Sequence, residues 1–162
     1  MAIVGNPKSQ SRTHRVAEAV ARLVDQRWLG GHSDISIIDL ADHADYLLDW
    51  AAPAVEDLVQ RVLAADLLIV ASPTYKATYT GLLKIFLDRI AGGAMKGTIA
   101  VPVMLAGAPH HALAVEVHLR PLLVELGAMC VTPGLFVLER ELDALDERLD
   151  SWWAAAEDSF SC

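Results

Sequence analysis

Apolar residues along this chain recur in two rhythms that alternate from end to end. Ile3 and Val4 close a short extended run. Val16, Val20, Leu23, Val24 and Trp28 then return at helical intervals, until Gly30 and Gly31 supply a stop. Ile35 to Ile38 read as a second strand. The acidic stretch after it, with Asp39, Asp42, Asp45 and Asp49, reads as a solvated loop. Pro53 stands where a first helical turn tolerates proline, and Val55, Leu58, Val59 and Val62 carry that helix onward. Asp66 to Ala71 is a continuous apolar run, the mark of a strand buried on both faces of a parallel sheet.

The alternation continues with a helix from Gly81 to Ile90 and a strand from Gly97 to Leu105. A helix from about His110 to Leu126 comes next, with a kink expected at Pro121. A fifth strand is expected within residues 128–138. Leu142, Leu145, Leu149, Trp152 and Trp153 line one face of a last helix. The order βαβαβαβαβα predicts an α/β fold, a doubly wound parallel sheet of five strands in the order 2-1-3-4-5 with helices on both faces. A single domain over residues 1–162 is expected, because no repeat, linker or low-complexity tract interrupts the pattern.

Composition narrows the possible partners. With 162 residues, 54% of them hydrophobic, the chain can bury a substantial core. The longest apolar segment, Thr98 to Pro109, contains two prolines and falls short of the roughly 18 residues a membrane helix needs. The N-terminus lacks the features of a signal peptide, so a soluble cytoplasmic protein with no membrane partner is expected. A formal net charge of −8 argues against nucleic acid. Cys130 reads as an inert core thiol and Cys162 as a frayed terminal residue. His110, His111 and His118 lack a carboxylate or thiolate at ligand spacing and read as surface histidines at a helix start, with no metal.

In such a sheet a ligand binds beyond the carboxyl ends of the strands, where strand order reverses. That geometry sets three loops side by side, residues 5–13, 72–80 and 106–111. In the first, GNPKSQSRT, Gly5 permits a sharp turn, Ser9, Ser11 and Thr13 offer hydroxyls, and Lys8 and Arg12 add positive charge at a helix start. The spacing fits neither the dinucleotide fingerprint nor the Walker loop. A phosphate site and an ordinary helix cap with solvated cations both satisfy it. In the second loop, Tyr75 offers a flat ring with a polar tip, whereas Tyr79 reads as cover for the core or for a subunit contact. The helix after it, Leu82 to Leu87, is apolar on more than one face, which suggests burial against a partner subunit.

The segment SPTYKATYTGLLKIFLD closely resembles the corresponding part of NAD(P)H-dependent FMN reductases with a flavodoxin-like fold. GNPKSQSRT is similar to that family's phosphate loop, G-S-P-R-x-x-S-R-[ST], and AGAPHHALAVEVHLRPLLVELGA to its third flavin loop and the helix after it. The nearest subgroup supplies reduced FMN to alkanesulfonate-type monooxygenases. The resemblance implies that Asn6, Lys8, Ser11, Arg12 and Thr13 surround the FMN phosphate. It further implies that Pro73, Thr74, Tyr75 and Lys76 lie along the isoalloxazine, with Gly107 and its neighbours at the pyrimidine end. His111 matches a histidine often found in the third loop, and Lys76 is assigned an electrostatic role near the ring. Three positions depart from the pattern. Asn6 replaces a serine, Ala106-Gly107 replaces Gly-Gly, and Val117 followed by His118 stands where the subgroup's π-helical insertion carries tyrosine or histidine.

The resemblance also implies hydride transfer from NADPH or NADH to FMN, with no catalytic side chain required, and a homodimer or homotetramer. A quinone or azo-compound reductase of the same family is one alternative. A non-enzymatic flavodoxin-type carrier is another, although flavodoxins prefer a threonine- and glycine-rich phosphate loop without Lys8 and Arg12.

Overall fold

The computed structural model describes residues 1–160. Its sheet has five parallel strands, β1 (Ala2–Val4), β2 (Ile37–Asp39), β3 (Leu67–Pro73), β4 (Ile99–Ala106) and β5 (Leu135–Leu138), in the order β2-β1-β3-β4-β5. The helices are α1 (Arg12–Val24), α2 (Pro53–Leu63), α3 (Gly81–Leu87), α4 (Arg120–Glu125) and α5 (Leu145–Ala156). The expected topology is the observed one.

Alternation along the strands builds two cores. Ile3, Leu68, Val70, Ala100 and Met104 face one side, where they pack with Val55 and Leu58 of α2, Leu83 and Phe86 of α3, and Leu123 of α4. Ala2, Val4, Ile69, Ala71, Val101 and Val103 face the other, against Val16 and Val20 of α1 and Leu149, Trp152 and Trp153 of α5. Both faces of the central strands are covered, which is why they read as unbroken apolar runs. Full burial of a side chain such as Phe86 stabilises the fold by about 1.5–3 kcal/mol.

Several elements differ from expectation, among them α3, which ends at Leu87 rather than Ile90, β4, which starts at Ile99 rather than Gly97, and the first helix, whose last turn, Asp25–Leu29, is π-helical. β2 lies at Ile37–Asp39, starting two residues later than the apolar pattern predicts. The acidic stretch is not a solvated loop throughout. Leu40–Tyr46 winds into a 3-10 helix capped by Asp39, and Asp39 itself is buried. The fifth strand is only Leu135–Leu138; Met129 makes one isolated bridge to Ile99, and Pro133, which has no N–H to give a ladder, separates the two pieces. The long fourth helix is also divided, into a 3-10 turn at Pro109–His111, a π-helical turn at Val115–Leu119, and α4.

The π-helical turn forms with Val117 at the position where the resembled subgroup carries an aromatic ring. It ends in a bond from the Arg120 N–H to the Val115 carbonyl, directly before Pro121. A proline has no N–H for the ladder and its ring strikes the carbonyl four residues back in an unbroken α-helix. The widened turn absorbs that mismatch, so the kink expected at Pro121 takes this form. Cys130 is partly buried against the core and burial raises its thiol pKa. Cys162 lies outside the described residues. Among those described, no helix is long and apolar enough to cross a membrane.

Candidate functional site

Pairing of β1 with β3 and of β3 with β4 sets the loops at 5–13, 72–80 and 106–111 side by side. The first two are locked together. The Gly5 N–H donates to the Ala71 carbonyl at 2.8 Å, and the Thr80 hydroxyl donates to the Gly5 carbonyl. Thr80 also caps α3, accepting from the Leu83 N–H at 3.1 Å. A β-carbon on Gly5 would stand 2.6 Å from that of Leu83, so only glycine lets α3 approach the loop this closely.

The first loop wraps the start of α1. Ser11 is its N-cap, accepting from the His14 N–H at 3.2 Å. Asn6 and Thr13 are buried and joined, Nδ2 to Oγ1 at 3.0 Å, while the Asn6 side-chain oxygen accepts from the Lys8 N–H at 2.9 Å. These two side chains therefore shape the loop from beneath. Lys8 is exposed and makes no side-chain hydrogen bond or ion pair among the described residues, whereas Arg12 donates to Glu139 at 2.9 Å. The result is a 13-residue helix that carries Arg12 at its positive dipole end, with Lys8 in the loop that leads into it.

Asp39, at the carboxyl end of β2, braces this loop. One of its oxygens accepts from the Gln10 N–H at 3.1 Å and lies 3.0 Å from His14 Nδ1, and the other accepts from the Ala41 N–H. Gln10 sits at φ 51°, a left-handed conformation that this contact helps to hold. The apolar pattern gives no hint of the brace. Its one signal in the sequence is the position of Asp39, directly after Ile37 and Ile38 on a strand neighbouring β1.

In the second loop the Pro73 ring ends β3, and the Thr74 N–H donates to the Leu105 carbonyl at 2.7 Å, tying the loop to β4. The Thr74 hydroxyl oxygen is buried and has no partner among the described residues. Tyr75 and Thr78 exchange backbone hydrogen bonds around Lys76 and Ala77, both at positive φ. This tight turn leaves the Tyr75 ring about half exposed and Lys76 in solvent. Tyr79 packs against the core, as expected.

In the third loop Gly107 is exposed at the end of β4, and a β-carbon there would stand 3.9 Å from Glu139 Oε2. His111 is partly buried on the next turn, its ring centroid 4.0 Å from that of His110. The residues singled out from the sequence thus lie on adjoining loops. Asp39, His14, Thr80 and Glu139 escape a reading of the sequence because each acts through a contact distant along the chain. A cavity of about 660 Å³ lies at the opposite, amino end of the strands, lined by Met1, Trp28, Arg61, Leu67 and Ile99 among others. There the Met1 ammonium donates to the Leu67 carbonyl at 3.0 Å, and burial lowers its pKa.

The donor set suits FMN. A cationic helix start matches a phosphate, and the next loop, at the end of the paired strand β3, offers a Thr74 hydroxyl without a partner among the described residues and an exposed Tyr75 ring.

An open parallel sheet with these three loops at its switch point defines a flavodoxin-like protein. Residues 1–143 match the family described as NADPH-dependent FMN reductase, and the chain belongs to that family. The NADH-dependent FMN reductase SfnE of Pseudomonas putida is 33% identical over 96% of this chain and 84% of its own length. The FMN reductase (NADPH) of Escherichia coli K12 is 32% identical over 64% of this chain, a match that spans only 62% of that relative's length. Among solved structures, the apo form of an NADH:FMN oxidoreductase (EMOB) superposes with a TM-score of 0.76 at 32% identity, covering 96% of this chain and 88% of that one.

Proposed function

We propose that this protein is an NAD(P)H-dependent FMN reductase, in which the first loop binds the FMN phosphate and the second and third flank the ring. The observation that carries this reading is the start of α1, capped by Ser11 with Arg12 at its first position and Lys8 exposed in the loop before it, at the strand end that also carries the Thr74–Tyr75 loop. When bound, FMN supplies the redox chemistry, accepting a hydride from the nicotinamide. The chain's own work is to orient and to supply charge.

Each loop has a part. Lys8 and Arg12 neutralise the phosphate, while Asn6, Thr13 and Asp39 hold the loop in the shape that presents its N–H groups. Pro73 and Thr74 border the ring and Tyr75 covers it. Lys76, exposed at the tip of its turn, adds positive charge where a reduced flavin or a nicotinamide phosphate needs it. Gly107 leaves the backbone of the third loop open to close approach, with His111 behind it.

Steady-state oxidation of NADPH and of NADH with added FMN tests the activity, and failure to oxidise either above background would sink it in favour of an electron carrier. Replacing Lys8 and Arg12 together by alanine is expected to weaken FMN binding at least tenfold. The loss should be larger at low salt, because surface charge is screened within about 10 Å at 0.1 M.

The finer reading is of a single-domain cytoplasmic protein that hands reduced FMN to a separate monooxygenase and works as a homodimer or homotetramer. Self-association is supported by apolar side chains left uncovered on and just before the π-helical turn, Val117 at 55% exposure and Leu113 at 70%.

A further inference from the structure

We propose that Glu139 competes with the FMN phosphate for Arg12 and so sets how readily FMN leaves the site. The inference rests on reading the first loop as the phosphate site. Arg12 is the first residue of α1, directly after its cap, and Glu139 is the first residue beyond β5. Although 127 positions apart, they meet at 2.9 Å from Arg12 Nη1 to Glu139 Oε2. The same Oε2 lies 3.9 Å from where a β-carbon on Gly107 would be. One carboxylate therefore borders both the cation of the first loop and the backbone of the third.

An anion in that place acts against a second anion. Guanidinium N–H groups that point to Glu139 must turn, or be shared, to meet a phosphate. The pair is weak enough to yield, since its side chains are 62% and 40% exposed. Exposed pairs of this kind shift an equilibrium by about two- to fivefold. Lys8, which has no such partner among the described residues, attracts the phosphate without competition. A protein that must bind FMN and then release it is served by a modest competitor of this size.

The test is a double-mutant cycle on FMN and riboflavin affinity, read by quenching of flavin fluorescence. Glu139→Gln, which keeps the shape and removes the charge, is expected to tighten FMN about two- to fivefold and to leave riboflavin unchanged. In an Arg12→Ala background the same substitution is expected to change FMN affinity by less than about 1.5-fold. Glu139→Ala should repeat the pattern, with melting curves showing both variants folded. No tightening in Glu139→Gln overturns the proposal. So does equal tightening when Arg12 is absent, which would make Glu139 a general repulsive charge. A wild-type protein that binds FMN no better than riboflavin overturns the phosphate reading itself, and that comparison does not involve position 139.

Discussion

Lys76 and Ala77 hold φ values of 52° and 69° in the turn closed by Tyr75 and Thr78. A left-handed residue with a β-carbon costs about 1–2 kcal/mol, and glycine removes that cost while adding roughly 0.5–1 kcal/mol of unfolded-state entropy. The steric saving is the larger of the two. Ala77→Gly is therefore expected to stabilise the protein by about 0.5–1 kcal/mol, or a rise of roughly 1–4 °C in melting temperature. A melting temperature that stays level or falls would show that the turn stores no strain at this residue. Nothing in the dipeptide Lys-Ala signals such a turn, which is why only the loop's composition is readable from the sequence. Asp39 shows the reverse: its type suggests a solvated carboxylate, but strand pairing sets it beneath Gln10 and His14.

The π-helical turn at Val115–Leu119 is fastened by side chains as well as by its backbone. Glu116 pairs with Arg120 and accepts from the Gly134 N–H, and Arg120 donates to the carbonyls of Cys130 and Thr132. Gly134 packs so closely that a β-carbon there would stand 2.6 Å from Val115. The Arg120 hydrogen bond holds the Glu116 carboxyl below its ordinary value of 4.5, against a smaller opposing effect of burial. A carboxylate with a depressed folded pKa stabilises the fold above its unfolded value, and that contribution disappears as pH falls through the folded value. Wild type should accordingly exceed Glu116→Gln in stability at pH 7, by less than about 1 kcal/mol because the pair is partly exposed, and the difference should shrink as pH falls below 4.5 and through the depressed folded value. Urea unfolding at several pH values measures this; a difference that is independent of pH would assign the effect to packing instead.

At the scale of the molecule, one face of the sheet carries α2, α3 and α4, and parts of that layer stay uncovered. Leu113, Val117 and Val124 are exposed on the π-helical turn and around α4, while Leu82 and Ile85 of α3 are only partly buried. Under the proposed self-association, these exposed apolar side chains are where a second copy of the chain would dock. Val117→Asp is expected to shift the protein toward monomer in sedimentation experiments at micromolar concentration, with little loss of thermal stability in the monomer itself. An assembly state unmoved by Val117→Asp would exclude this face.

Periodicity alone determined the five strands, their parallel arrangement and the three loops that converge, because burial on both sheet faces leaves apolar runs that no other architecture explains as simply. Residue type, together with position in that topology, also singled out Lys8, Ser11 and Arg12 at the start of α1. Tertiary structure alone decided which of those groups stand free: Lys8 is exposed and unpaired among the described residues, Arg12 is shared with Glu139, and Asn6 and Thr13 are turned inward. It alone decided that Asp39 is a brace, that the fourth helix widens before Pro121, and that the fifth strand is short. The division has a physical cause. Local pattern records which side of a residue faces the core, whereas the hydrogen bond between Arg12 and Glu139, 127 positions apart, exists only once the sheet has brought the loops after β1 and β5 together.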